Sequence, residues 1–190
     1  VIVGGPGPTK DDFFKEEYLH YQIQKKVLGI KDTGYTGEFG LEELVERSKD
    51  LLEQAAIVKE RELLEHFFNE LKKDGNVVYG FEDTNKALDL GAIDTLLISE
   101  GFDFIHTKLR CSQCNIITEK DLPKRIVEEQ VCERCGKKLV IEGIEELVDI
   151  ITEKAKNLGA KVEFISIDTR EGIQFKELGG IGALLRYKIS

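Results

Sequence analysis

The sequence predicts an α/β protein in two parts: a strand-helix-strand-helix segment, followed by a three-layer α/β domain that carries a zinc-ribbon-like insertion. Short apolar runs alternate with stretches of helical period, which is the pattern of strands connected by helices. Glycines stand at the ends of most of these runs, where the chain has to turn. All four cysteines fall in one interruption of the alternation. We therefore expect a mainly parallel sheet with helices on both faces and one inserted lobe.

The composition is that of a globular protein, with 41% hydrophobic and 33% charged residues over 190 positions. No apolar run approaches the roughly 20 residues that a membrane-spanning helix requires, and no signal-peptide pattern opens the chain. The formal charge is -9, from 27 Lys and Arg against 36 Asp and Glu. Overall charge therefore opposes binding to a nucleic-acid backbone, although a local basic patch is still compatible with this sequence.

The first segment opens on residues 1–3, an apolar strand-like triplet that runs into a Gly- and Pro-rich turn at residues 4–8. Thr9 offers an N-cap hydroxyl for the helix that follows. We expect that helix to be long and to reach about Gly29, because four apolar side chains recur on one face: Phe14, Tyr18, Tyr21 and Leu28. Since no methionine occurs and the chain begins inside a strand, we interpret the sequence as part of a longer protein.

The next elements complete the first segment. A short strand is expected at residues 28–31, and a second amphipathic helix between Leu41 and Leu52. No Pro/Gly-rich linker follows, so residues 54–56 are the nearest candidate hinge. Beyond them, a third helix runs from Ile57 to Leu71 and is stopped by an Asp-Gly pair.

The second segment alternates more regularly. The expected elements are a strand at 77–80, a helix at 84–90, a strand at 93–99, a helix at 144–158, a strand at 161–166 and a last strand at 183–189. Gly91 and Gly159 close the two helices. The alternation is interrupted between residues 106 and 142, which we take as the insertion.

The four cysteines are spaced as two CxxC pairs, Cys111 with Cys114 and Cys132 with Cys135. The 17 residues between the pairs, 115–131, fit the spacing of a four-thiolate zinc site, and Gly136 suits a tight knuckle turn. Because all four ligands are thiolates, we expect the zinc, or iron in a recombinant sample, to be structural rather than catalytic. Two disulfides are disfavoured without extracellular features, and one redox pair would leave the second CxxC unexplained.

The sequence matches none of the catalytic or phosphate-binding motifs that its composition suggests. Residues 4–10 lie between a strand and a helix, but they lack the Gly-Lys-Ser/Thr of a phosphate loop, and Asp11 would repel a phosphate. The three histidines, His20, His66 and His106, fall in separate elements. No Ser-His or Cys-His arrangement is visible, so we expect a protein that is not an enzyme.

Several stretches resemble the archaeal and eukaryotic class-1 peptide chain release factors, over the whole chain and in order. They are Val3-Gly4-Gly5-Pro6-Gly7, Gln24-Lys25-Lys26-Val27, Tyr35-Thr36-Gly37-Glu38-Phe39-Gly40-Leu41, Gly80-Phe81-Glu82-Asp83-Thr84, Lys86-Ala87-Leu88, Gly91-Ala92 and residues 179–187. The resemblance implies that residues 1–54 are the second half of the family's middle domain. Residues 55–190 would be its C-terminal domain, with residues 106–142 as a cysteine-rich minidomain.

The family reads stop codons with an N-terminal domain and triggers peptidyl-tRNA hydrolysis with a Gly-Gly-Gln loop. Neither is present here, since the Gly-Gly pairs at 4–5 and 179–180 precede Pro6 and Ile181. The resemblance implies a cytoplasmic translation factor whose remaining role is docking to a translational GTPase, of the elongation factor one-alpha type in archaea. It also implies contact with the ABC-class recycling ATPase and, for the full-length protein, the ribosome. The residues it points to are Leu64, Phe68, Gly182, Leu185, Arg186 and Tyr187.

Two other functions stay open at this point. The ribosome-rescue paralogue of the release factor shares the fold, but it typically lacks the cysteine insertion. A zinc-ribbon regulator of nucleic acid would require salt-sensitive RNA binding against the charge of -9. The insertion supports that reading weakly, with eight Lys and Arg against six Asp and Glu at residues 106–142 and few aromatics.

Overall fold

The computed structural model describes residues 1–189, which form two compact units divided after Glu62. The helices are α1 (Thr9–Lys15), α2 (Tyr21–Gln24), α3 (Gly37–Glu46), α4 (Lys49–Lys72), α5 (Phe81–Asp89), α6 (Leu147–Asn157) and α7 (Arg170–Glu177), with a 3-10 helix at Lys124–Glu129. The strands are β1 (Ile2–Gly5), β2 (Gly29–Asp32), β3 (Val77–Tyr79), β4 (Ile93–Ser99), β5 (Phe104–Cys111), β6 (Ile117–Pro123), β7 (Leu139–Glu146), β8 (Lys161–Ile165) and β9 (Ile181–Leu185). No described helix is long and apolar enough to cross a membrane.

The first unit has the predicted strand-helix-strand-helix order. Strands β1 and β2 pair in parallel, in register from Ile2 opposite Gly29 to Gly5 opposite Asp32. Helices α1 and α3 both contact β1. The second predicted helix is divided at Ser48, whose amide donates to the carbonyl of Val45 and whose carbonyl accepts from the amide of Leu52. The candidate hinge at 54–56 lies inside helix α4.

The expected long helix from Thr9 to Gly29 is wrong. Helix α1 ends at Lys15, and Glu17 takes a left-handed conformation with φ of 53°. A new short helix then begins after His20, whose Nδ1 accepts a hydrogen bond from the amide of Gln22 at 3.4 Å. Thr9 is the first helical residue rather than the cap, and Pro8 precedes it without a side-chain cap bond. The apolar spacing continues through this break, because one residue with positive φ leaves the sequence pattern unchanged. The pattern therefore predicted one helix where the structure has two.

The second unit is built on a four-stranded sheet in the order β3-β9-β4-β8. Strands β4 and β8 are parallel, whereas β9 lies antiparallel to both β3 and β4. The expectation of a mainly parallel sheet is therefore wrong. The strands β3, β4 and β8 do share one direction, but the last strand enters the gap between β3 and β4 in the opposite sense. That strand also ends at Leu185 rather than at residue 189.

Helices cover both faces of this sheet, which gives the three predicted layers. On one face, α5 and α6 pack on β4 through Leu88, Ile151 and Leu96. On the other face, the second half of α4 and α7 pack through Phe67 and Phe175, whose rings meet edge-on at 5.4 Å. Successive residues of β4 alternate between the two cores, as the two-residue period of a strand requires.

Two features of this unit escaped prediction. Helix α7 spans only eight residues, and it is begun by Thr169, whose Oγ1 accepts from the amide of Gly172 at 3.1 Å. The interruption contains its own antiparallel sheet, in the order β6-β5-β7, so Ile144 belongs to β7 and α6 begins only at Leu147. This cysteine lobe, residues 104–146, has a small core of four residues: Ile105, Leu109, Leu122 and Val127.

Candidate metal centre and partner surface

The four predicted ligands meet at one end of the cysteine lobe. Strand β5 ends on Cys111, which lies opposite Leu139 at the start of β7. That pairing brings the loop with Cys132 and Cys135 against the loop with Cys114, and the four sulfur atoms all lie within 4.8 Å of one another. None of the four forms a disulfide. The structure therefore brings together the complete set that the spacing predicted.

The two CxxC loops repeat one backbone geometry. In the first loop the amide of Asn115 donates to the carbonyl of Cys111 at 2.9 Å, and in the second the amide of Gly136 donates to that of Cys132 at 2.8 Å. Asn115 and Gly136 both take left-handed backbone conformations, with φ of 52° and 69°. The sequence pointed to Gly136 alone. Asn115 could have been found, because asparagine is the side chain that best tolerates this conformation.

The electrostatics of the cluster favour a cation. Cys111 and Cys132 are buried, and the amide of Cys114 donates to Sγ of Cys111 at 3.4 Å. That hydrogen bond lowers the pKa of the Cys111 thiol to about 6. Hydrogen bonding to Cys135 and desolvation raise the pKa of the Cys114 thiol to about 12. Four thiolates this close would repel one another, so the cluster cannot ionise fully by itself. A divalent cation that binds sulfur would offset this repulsion, and four cysteine sulfurs fit zinc or iron.

Three of the predicted partner residues are buried in the α/β cores. Leu64 and Leu185 are 0% and 8% exposed. Gly182 is packed so closely that an added Cβ would lie 2.9 Å from the carbonyl oxygen of Val78. Leu64, Leu185 and Gly182 therefore belong to the packed interior and are not displayed at the surface. Phe68 is half-buried and meets Phe67 edge-on at 5.7 Å.

Arg186 and Tyr187 follow β9 and are both exposed, but they are also bonded to the ends of two helices. Arg186 donates to the carbonyls of Gly91, Leu158 and Gly159 at 3.4, 3.3 and 3.0 Å. The hydroxyl of Tyr187 donates to the carbonyl of Leu90 at 3.2 Å. These carbonyls are the ones that a helix C-terminus leaves unpaired.

We call the hydrogen bonds from Arg186 and Tyr187 to these helix ends the clamp. Exposed apolar side chains surround it. Leu90, Leu158 and Tyr187 are 62%, 41% and 50% exposed, and together they form what we call the α5–α6 end. Leu90 and Leu158 were missed by the sequence analysis, although each directly precedes the glycine that ends its helix. Phe68 belongs to α4, on the opposite face of the sheet. The side chain of Phe68 therefore lies on the face away from α5 and α6, although α4 packs on β9 where Phe67 approaches Gly182.

The histidines lie apart, as expected. His20 begins α2, His66 is an exposed residue of α4, and His106 lies on β5. Nδ1 of His106 is 2.6 Å from Oδ1 of Asp121 on the neighbouring strand. That contact is one of the cross-strand pairs of the lobe.

Comparison with known proteins gives a consistent picture over the whole chain. The family model described as eRF1 domain 2 matches residues 1–54, and the one described as eRF1 domain 3 matches residues 57–189. The chain is 43% identical to peptide chain release factor subunit 1 of Thermococcus kodakarensis and 41% identical to that of Archaeoglobus fulgidus. These matches cover 100% and 99% of this chain. They cover 47% and 46% of the relatives, so the chain spans about half the length of the curated relatives it matches.

Solved structures agree. The C-terminal domain of a peptide chain release factor from Methanosarcina mazei matches 81% of this chain and 98% of its own, with 32% identity and a TM-score of 0.62. A ribosome-bound archaeal Pelota, described together with ABCE1, matches at 22% identity with a TM-score of 0.57, covering 100% of this chain and 43% of its own. At that identity the likeness concerns the fold alone. From the two family models, the identity to release factors and the shared C-terminal fold, it follows that this chain belongs to the eRF1 family of peptide chain release factors.

Proposed function

We propose that this chain serves translation termination, as the part of a class-1 release factor that docks a translational GTPase. The observation that carries the proposal is the 43% identity to a peptide chain release factor subunit 1 over the full length of the chain. We assign residues 1–54 to the second half of the middle domain. Residues 55–190 are then the C-terminal, GTPase-binding domain.

The chain itself is inert in hydrolysis under this proposal. Its two Gly-Gly pairs are followed by Pro6 and Ile181, and no Gly-Gly-Gln occurs in the 190 residues. The three histidines lie in different elements, and no cysteine lies outside the metal cluster. In this proposal the chain contributes binding surfaces rather than chemistry and acts as a non-enzymatic factor. Its proposed location is the cytoplasm.

We place GTPase docking on the α5–α6 end. Exposed apolar side chains with an arginine and a tyrosine beside them are typical of protein interfaces. The clamp by Arg186 and Tyr187 fixes that surface before a partner arrives, which reduces the entropic cost of binding. The expected partner is a GTPase of the elongation factor one-alpha type. The ABC-class recycling ATPase is proposed as a second partner, and the ribosome as the place where both are met.

The four cysteines, Cys111, Cys114, Cys132 and Cys135, hold a structural zinc in this proposal. Support comes from the mutual approach of four thiols within 4.8 Å and from the matching left-handed turns after each pair. Zinc supplies no chemistry here beyond cross-linking the two loops. The lobe has a core of only four residues, so its fold depends on that cross-link.

The alternatives are weaker. The rescue paralogue receives no separate support, because the relatives matched at 41–43% identity are archaeal release factors. A stand-alone zinc-ribbon regulator does not account for a resemblance that runs through both units.

The test is equilibrium binding of a GTP-loaded archaeal elongation factor one-alpha to the immobilised chain. We compare the double variant Leu90→Gln/Leu158→Gln with a matched control, Phe164→Gln/Ile173→Gln, whose residues are 53% and 47% exposed elsewhere on the same unit. The proposal expects at least about a tenfold loss for the first pair and no change for the control. Full binding by both variants contradicts docking at the α5–α6 end. A loss in the control alone also contradicts it and moves the docking site to the surface around Phe164 or Ile173.

A further inference from the structure

The charges of the cysteine lobe are distributed unevenly. Four of its eight cations form ion pairs with acids: Lys108 with Glu119, Arg110 with Glu142, Lys120 with Glu133 and Lys124 with Glu146. The other four form no ion pair within the part of the chain that the structure describes. Arg125 lies in the 3-10 helix, and the remaining three lie in the second knuckle, the turn of the second CxxC pair: Arg134, Lys137 and Lys138. Most of the unpaired positive charge of the lobe therefore lies at the second knuckle.

These three cations are presented by a rigid loop. Val131 and Lys138 form an antiparallel bridge, the amide of Cys132 donates to the carbonyl of Lys137 at 2.7 Å, and the amide of Gly136 donates to the carbonyl of Cys132 at 2.8 Å. The side chains are exposed. A loop fixed in this way holds several charges at set spacing, so little entropy is lost when a ligand binds.

The first knuckle adds uncharged hydrogen-bonding groups beside them. Ser112, Gln113 and Asn115 are exposed, and the convergence of the four sulfurs holds this loop against the second one. We call residues 112–115 and 133–138 together the lobe tip. Its one acid, Glu133, is engaged by Lys120 at 3.2 Å. The lobe tip thus offers three cations and three neutral polar side chains on a chain whose overall charge is -9.

We propose that the lobe tip binds the phosphate backbone of RNA. A phosphate carries charge and only accepts hydrogen bonds, which matches a surface of cationic and neutral donors. The lobe tip has no aromatic side chain on which bases could stack, so we expect its main contacts to be with the phosphate backbone. This inference concerns a different surface from the α5–α6 end and does not depend on GTPase docking.

A second role for the same cations has to be separated from this one. Four thiolates around a divalent ion carry a net negative charge, and nearby cations stabilise it. If Arg134, Lys137 and Lys138 serve only that purpose, removing them weakens metal retention and leaves RNA affinity unchanged. RNA binding and charge compensation of the metal site can therefore be told apart: the first predicts a loss of RNA affinity, and the second predicts a loss of zinc.

The experiment uses the full 190-residue chain loaded with zinc and a fluorescent single-stranded RNA of about 12 nucleotides. Anisotropy is recorded over a salt series for the wild type and for Arg134→Ala/Lys137→Ala/Lys138→Ala. The control is Lys72→Ala/Lys73→Ala/Lys156→Ala, which removes the same charge from three exposed lysines outside the lobe. Zinc content and melting temperature are measured for all three proteins.

The proposal expects the wild type to bind with a salt-dependent affinity. Because each lost phosphate contact reduces the slope of log K against log salt by about 0.7, the lobe-tip variant should lose about 2 from that slope. The control variant should keep the wild-type slope, and all three proteins should keep their zinc. Three results overturn the proposal: no RNA binding by the wild type, equal losses in both triple variants, or loss of zinc with RNA affinity unchanged. Competition by poly-glutamate as effective as that by RNA overturns it too, because it assigns the lobe tip to acidic protein segments.

Discussion

The guanidinium of Arg186 donates a hydrogen bond to the carbonyl of Gly159 at 3.0 Å and so ties the end of strand β9 to the end of helix α6. The same side chain reaches the carbonyl of Gly91 just beyond helix α5. A cation at two helix C-termini satisfies unpaired carbonyls and complements both helix dipoles. The segment that the sequence marked for partner contact is therefore also the segment that holds the proposed contact surface in shape.

Arg186→Ala is expected to destabilise the second unit by about 1–2 kcal/mol, because charge-assisted bonds to two helix ends are lost from an exposed position. Arg186→Lys should recover only part of this, since one ammonium cannot bridge both helices. Urea unfolding followed by circular dichroism measures the effect. Lys156→Ala, at an exposed lysine in the same unit, is the control. An unchanged unfolding midpoint for Arg186→Ala would show that the clamp does not contribute to the stability of the second unit.

Gly182→Ala is expected to cost about 1–3 kcal/mol. The new methyl group would lie 2.9 Å from the carbonyl oxygen of Val78 and 3.0 Å from the ring of Phe67, and neither the paired strand nor the buried ring can withdraw freely. The control is Gly143→Ala in β7, where nothing lies within 4 Å of the added carbon. The melting temperatures of both variants test this, and we expect a lower value for Gly182→Ala than for Gly143→Ala. Equal melting temperatures would contradict the close packing at β9.

Removal of metal with a strong chelator, or the pair Cys111→Ser/Cys132→Ser, is expected to unfold residues 104–146 and spare the four-stranded sheet. The lobe buries few side chains of its own, whereas the sheet is covered on both faces. Amide hydrogen exchange resolves the two regions, with Ser112→Ala as the control. If protection falls in β4 and β9 together with β5, the lobe does not fold as a separate unit.

Lys188 donates to the carboxylate of Asp74 at 2.7 Å and lowers the pKa of that carboxyl below its usual value. Because the folded pKa is the lower one, the pair stabilises the protein above the unfolded pKa of Asp74, and that stabilisation is lost as the pH falls through the folded pKa. NMR titration should show the Asp74 pKa rising toward its usual value in Lys188→Ala. The difference in melting temperature between the two proteins should shrink on acidification. An Asp74 pKa unaffected by the substitution would contradict the pairing.

Local signals were sufficient for much of the fold. Strand β4 was predicted with its observed bounds because an apolar run between turn residues has few other interpretations. The spacing of the two CxxC pairs was sufficient to predict that the four cysteines lie together. The break at Glu17 was not predictable from periodicity, since a single left-handed residue leaves the apolar pattern intact. The antiparallel entry of β9 was missed because strand direction is set by tertiary placement and not by the residues of the strand.

Burial separates the predicted partner residues into packed and displayed ones. The resemblance pointed to Leu64 and Leu185, but a hydrophobic residue in such a segment is as consistent with a core as with an interface, and both are buried. Leu90 and Leu158 are exposed only because each occupies the last position before a helix-ending glycine, and that position follows from the packing of α5 and α6.

The most direct test of the termination role is a peptide-release assay on archaeal ribosomes stalled at a stop codon. The full-length factor and its GTPase are supplied, and this chain is titrated in. We predict that the chain releases no peptide by itself and inhibits release by competing for the GTPase, and that Leu90→Gln/Leu158→Gln removes the inhibition. Peptide release by the chain alone, or inhibition that survives this substitution, would contradict the assignment of this chain as the GTPase-docking part of a release factor.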